Sequence, residues 1–113
     1  MITATLCRRD GRYTGFRASG HSGYDDAGRD IVCAAVSVLG CTCVNSLESL
    51  LDIQVRMLDN RDGILAFELP EVPAEREAGA QLLLGALHQG LKDLQAEYPA
   101  YVKLEIKGRR KQR

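Results

Sequence analysis

His21 and Cys33 lie twelve positions apart, and between them runs a polar loop rich in glycine. A thiolate attacks a carbonyl carbon, and an imidazolium beside it can stabilise that thiolate and then protonate the leaving amine. The pair therefore predicts nucleophilic cleavage of an amide. Such a base is normally oriented by a third group, and Asp30, Asp25 and Asp26 are all candidates. Asp30 also precedes a long apolar run, which makes it a candidate N-cap. Cys33 would then sit in the first helical turn, where the macrodipole and unpaired amides favour the thiolate. The negative charge of Asp30 works against that, so the helix start and His21 must outweigh it. The same amides, including that of Cys33, are candidates for an oxyanion hole.

Plainer readings compete. A histidine beside glycine is commonly a surface residue, and a cysteine in an apolar helix is commonly core. The glycines and the helix start could instead cradle a phosphate. The stretch lacks the Gly-Lys-Ser/Thr ending of a P-loop and the Gly-x-Gly-x-x-Gly fingerprint, which argues against a nucleotide. Cys41 and Cys43 are two apart on the expected helix and point about 200° away from each other, so they cannot chelate one ion together. No metal and no cofactor are expected. His88 is read as structural or solvent-facing.

The elements that must position these groups follow from periodicity. Ile2, Ala4 and Leu6 alternate with Thr3, Thr5 and Cys7 up to Arg8, a strand pattern. Asp10-Gly11 is a turn signal, and Tyr13 to Ser19 reads as the returning strand, with Thr14, Phe16 and Ala18 on one face. The loop Gly20 to Arg29 follows. From Ile31 the chain stays apolar for some twenty positions, with Val32, Val36, Leu39, Cys43, Leu47 and Leu50 on one stripe. Ala34, Ala35, Val38 and Cys41 cover another side, so this helix is expected to be buried on more than one side, a partner subunit being one possible cover. Ile53 to Leu58 and Ile64 to Leu69 read as a second hairpin around the turn cluster Asp59 to Gly63. Ala74 to Glu97 has the helical period, weakened at Gly79, Gly85 and Gly90 by roughly 1 kcal/mol each relative to alanine. Tyr101 to Lys107 reads as a last strand. The order ββαββαβ predicts an α+β fold, a mostly antiparallel sheet carrying two helices in a single domain.

Length and composition suit one compact domain. Fifteen basic and fifteen acidic residues cancel, so there is no global field for nucleic acid, and direct nucleic-acid binding is not expected. No stretch is expected to approach the roughly 20 apolar residues of a membrane span. Met1 to Leu6 has no basic region followed by an apolar one, as a signal peptide would. A cytoplasmic location with reduced cysteines is the expectation. The domain is expected over 1–107, with 108–113 a basic tail that is solvated or, less favoured, rests near RNA.

At Gly20-His21-Ser22-Gly23-Tyr24 and Gly28-Arg29-Asp30-Ile31-Val32-Cys33-Ala34-Ala35-Val36-Ser37 the chain resembles the ribosomal-processing cysteine protease family, Prp. The His, the glycines, the Asp and the Cys-Ala-Ala-Val-Ser run share its order and spacing. The resemblance implies a bacterial, cytoplasmic, homodimeric endopeptidase. It would remove the N-terminal extension of a large-subunit ribosomal protein, the twenty-seventh, cutting after a pair of aromatic residues with a Cys/His dyad. Carried over by position, Cys33 is the nucleophile, His21 the general acid/base and Asp30 the aspartate beside the site. The Gly23 to Gly28 loop would be the lid over the peptide, and Gly20, Ser22, Gly23, Tyr24 and Gly28 would bind substrate or belong to that lid. Cys41, Cys43, Ser22 and the basic tail depart from the family pattern without removing a catalytic group. The alternative is a non-catalytic ribosome- or RNA-associated binding protein.

Overall fold

The computed structural model describes residues 1–20, 30–61 and 63–109. Its elements are β1 (Ile2–Arg9), β2 (Arg12–Ser19), α1 (Ile31–Leu51), β3 (Arg56–Arg61), β4 (Ile64–Glu68), α2 (Ala74–Glu97) and β5 (Val102–Arg109). The order is ββαββαβ, as the periodicity predicts. The five strands form one open sheet in the order β3-β4-β2-β1-β5. Neighbouring strands are antiparallel except β1 and β5, which run parallel from Ile2↔Val102 to Arg9↔Arg109. A parallel neighbour needs a crossover, and the chain between β1 and β5 includes both helices.

One face of the sheet buries Ile2, Ala4, Leu6, Phe16, Ala18, Leu65 and Phe67. These side chains meet Val32, Val36, Cys43, Val44 and Leu47 of α1 and Ala80, Leu84, Leu87 and Leu91 of α2 in a single core. The other face carries half-buried Thr3, Thr5 and Glu105 with exposed Arg17 and Lys103. The helices lie antiparallel on each other: Leu39 meets Gly90, the Cys43 thiol faces the Leu83 carbonyl, and Leu51 meets Gly79. A Cβ on Gly90 would stand 2.7 Å from Leu39 Cδ2, and one on Gly79 3.1 Å from both Leu51 methyls. Two of the glycines that weaken α2 as a helix are thus its points of closest approach to α1. Gly40 does the same between α1 and the sheet, where a Cβ would stand 2.5 Å from Leu65 Cδ2.

Strand boundaries differ from the sequence reading by one or two residues, and by three at β3. The third strand begins at Arg56 rather than Ile53 and runs through Arg61. α1 ends on Asp52, which adopts left-handed φ 53°, ψ 41°, and the Ile53 amide bonds back to the Leu47 carbonyl. Ile53 and Val55 are buried as a tether beneath the core rather than as ladder residues, so their alternation with Met57 imitates a strand. Leu50, placed on the buried stripe, is 71% exposed, because none of the described elements covers that side of the last turn of α1. The final strand continues two residues past Lys107, to Arg109.

α1 has 21 residues and a mean hydropathy of 1.7 over its most apolar stretch, enough by length and composition to cross a bilayer. Its Val32–Leu47 face instead fills the core over the sheet. The opposite side, with Ile31, Ala34, Val38 and Cys41, is exposed.

Candidate active site

Asp30 caps α1 as its position predicts. Its backbone is extended (φ −75°, ψ 99°), and its carboxylate accepts from the amides of Val32 and Cys33, each at 3.0 Å. The carbonyl of Asp30 takes the first helical bond, from Ala34 at 3.1 Å. Asp30 is only 6% exposed and is the one polar residue among the buried core positions described. A cap with both of these bonds fixes the first turn, and Cys33 is the third residue of that turn. No acidic side chain follows within the turn, so the positive end of the helix dipole favours a thiolate there.

Cys33 is half-buried on the wall of a cavity of about 160 Å³. Ser37 and Cys41, one and two turns further along α1, continue its wall. Ser19 and Gly20 enter it from the end of β2, Asn60 and Arg61 from the end of β3, and Ile64 and Leu65 from β4. The volume suits one apolar side chain with its peptide group passing the rim.

Gly20 holds this end of β2 in place. Its φ is +97°, a Cβ there would lie 2.6 Å from the Met1 carbonyl oxygen, and its amide donates to the Gly63 carbonyl at 2.9 Å. Only glycine meets these conditions together. On the opposite wall Arg61 forks onto Asp59 with two bonds of 2.8 Å. That pair holds the Asp59 carboxyl below, and the Arg61 guanidinium above, their ordinary values. The sequence alone gave no reason to single out Asn60 and Arg61, which reach the cavity through sheet pairing. Ser37 and Cys41 could have been found from their four- and eight-residue offset from Cys33.

The other cysteines separate cleanly. Cys43 is buried, and burial pushes its thiol up to about 12. Cys41 is exposed and Cys7 half-buried on the polar side of β1. Among the described residues no group of three His, Cys, Asp or Glu side chains comes together in a way that could hold a metal ion. His88 is held by Tyr13, whose hydroxyl lies 2.7 Å from Nδ1. His21, Ser22, Gly23, Tyr24 and Gly28 lie outside the described residues.

A reachable thiol in the first turn of a capped helix, opening on a side-chain-sized cavity, is the arrangement of a cysteine hydrolase. Comparison with known proteins gives the family. The model of the cysteine protease Prp family matches residues 1–103. The ribosomal processing cysteine protease Prp of Bacillus subtilis (strain 168) is 32% identical over 106 residues, covering 87% of this chain and 90% of that one. A crystal structure of a Streptococcus mutans protein superposes with a TM-score of 0.81 at 35% identity, over 96% of both chains. The essential ribosomal processing protease Prp of S. aureus, solved with a covalently linked product peptide, superposes with a TM-score of 0.84 at 27% identity, over 95% of this chain and 100% of that one. The chain belongs to the Prp family of cysteine proteases, and its activity is that of a cysteine endopeptidase.

Proposed function

We propose that this endopeptidase removes the N-terminal extension of a large-subunit ribosomal protein, the twenty-seventh, with Cys33 as nucleophile and His21 as general acid/base. The observation that carries the reading is the position of Cys33, fixed by the Asp30 cap and open to the cavity. Gly20, the residue before His21 in the chain, lines that same cavity. In the reaction Cys33 Sγ attacks the scissile carbonyl and His21 protonates the leaving amine, while the positive end of the α1 dipole stabilises the oxyanion; the Val32 and Cys33 amides are already taken by Asp30. Water then hydrolyses the thioester, with the imidazole taking its proton. Asp30 holds the turn and steadies the imidazolium. The stretch containing Ser22, Gly23, Tyr24 and Gly28 closes over the peptide.

The same reading makes the enzyme a bacterial, cytoplasmic homodimer. The exposed α1 side with Ile31 and Val38 is the surface a second copy would cover. Residues 1–107 are the protease domain and 108–113 a basic extension. The test is incubation with the full-length ribosomal-protein precursor, read by N-terminal sequencing of the product. Loss of the extension after paired aromatic residues supports the reading. An uncut precursor that stays bound would favour a ribosome-associated binding protein.

A further inference from the structure

The charges cancel in sum but not in space. β1 and β5 run parallel and β2 antiparallel to both, so the end of β1, the start of β2 and the end of β5 meet at one edge of the molecule. There the register sets Arg9 opposite Arg12 on one side and opposite Arg109 on the other, with Arg8 beside Gly108 and Lys107 beside Cys7. Arg9 and Lys107 are exposed. α2 adds Lys92, one turn on from His88, whose partner Tyr13 also accepts from Arg8 at 2.9 Å. The acids nearby are Asp10 in the turn, Glu77, which Arg12 already engages, Asp93, which accepts from Gln89, and half-buried Glu105. In sequence, Arg110, Lys111 and Arg113 follow directly. Like charges placed opposite one another across strands cost stability. A fold that brings them together leaves a surface that gains when an anion covers it.

Strands of eight residues separate this end from the cavity, a distance on the order of 25 Å. The buried acid Asp30 and the paired acid Asp59 lie at the cavity end. Both ends can therefore be occupied at once.

We propose that the basic end formed by β1, β2 and β5 is a docking surface for the phosphate backbone of RNA, used while the cavity holds a peptide. Arg12, Arg9 and Arg109 share one cross-strand row on strands about 5 Å apart, and guanidinium forks suit phosphate oxygens. A lipid surface fits less well, because a polybasic patch needs a second, apolar anchor to hold a membrane. Exposed Ile31, Val38, Met57 and Leu58 belong to α1 and to β3, the opposite edge of the sheet from β5. Nearer the basic end, Ile106 of β5 and Leu82 of α2 are exposed singly rather than as a patch.

The experiment is fluorescence anisotropy of a labelled single-stranded RNA oligonucleotide with the full chain carrying Cys33→Ala, so that binding is read apart from cleavage. The same titration uses phosphatidylglycerol vesicles. With about three phosphates engaged, a fourfold rise in salt should weaken RNA binding about 18-fold. The double substitution Arg9→Glu, Lys107→Glu should weaken it at least about tenfold and flatten the salt slope. Introduced on the Cys33 background, that double substitution should leave cleavage of a free peptide unchanged and should not lower the unfolding midpoint, since it relieves the like-charge pairing. No binding at low salt, binding indifferent to the double substitution, or binding to vesicles but not to RNA would each overturn the proposal. None of these outcomes bears on cleavage, which the free-peptide assay reads separately.

Discussion

The backbone amide of Cys33 donates to the Asp30 carboxylate at 3.0 Å, and the same oxygen takes the Val32 amide. One buried side chain therefore starts the helix and aims the thiol. Replacing Asp30 with alanine should cost about 1 kcal/mol in urea unfolding, the usual value of a lost N-cap. Asn also caps, so Asp30→Asn should recover most of that stability while cutting more slowly, because the charge we propose to steady His21 is gone. An Asp30→Asn enzyme at full rate would reduce Asp30 to a cap.

Gly40→Ala sets propensity against packing. Alanine favours the helix by about 1 kcal/mol. Its Cβ would press on Leu65 Cδ2 at 2.5 Å and on the Phe16 ring at 3.2 Å, and overpacking a core costs about 1–3 kcal/mol. A net loss of about 1 kcal/mol is expected by chemical denaturation. Leu65 also lines the cavity, so KM should rise with it.

The four cysteines should not alkylate alike. Cys41 is exposed and Cys33 opens on the cavity, whereas burial pushes Cys43 up to about 12. Iodoacetamide followed by peptide mapping at neutral pH should label Cys33 and Cys41 and leave Cys43 unlabelled until the chain is unfolded.

His88 makes folding sensitive to acid. Burial, then the charges of Arg8 and Lys92, hold its imidazole below the ordinary 6.5. The unfolded chain therefore binds a proton that the folded one resists. This contribution to stability is complete above about pH 6.5 and is lost as pH falls through the lowered folded value. Thermal unfolding between pH 7.5 and 5 should show that loss, and His88→Gln should flatten it.

The first turn of α1 was legible because capping is local: Asp30, the apolar run and Cys33 lie within four residues of chain. The element order was legible for the same reason, since α2 and the hairpins carry clean periods. β3 was misplaced because Ile53 and Val55 alternate like strand residues, while the ladder is chosen by β4 through pairs such as Arg56↔Glu68. The roles of Gly40 and Gly90 depend on Leu65 and Leu39, which no local pattern connects to them. Arg61 and Asn60 reach the cavity by sheet pairing, and the tie between Tyr13 and His88 spans the hairpin and α2.

The most direct test of the central claim is to incubate the protein and its Cys33→Ala variant with a peptide carrying a paired-aromatic ribosomal-protein extension, and to read the products by mass spectrometry. A single cut after the aromatic pair, made by the parent and absent with a folded Cys33→Ala protein, is the predicted result. Cleavage that survives in Cys33→Ala would contradict the assignment of the nucleophile.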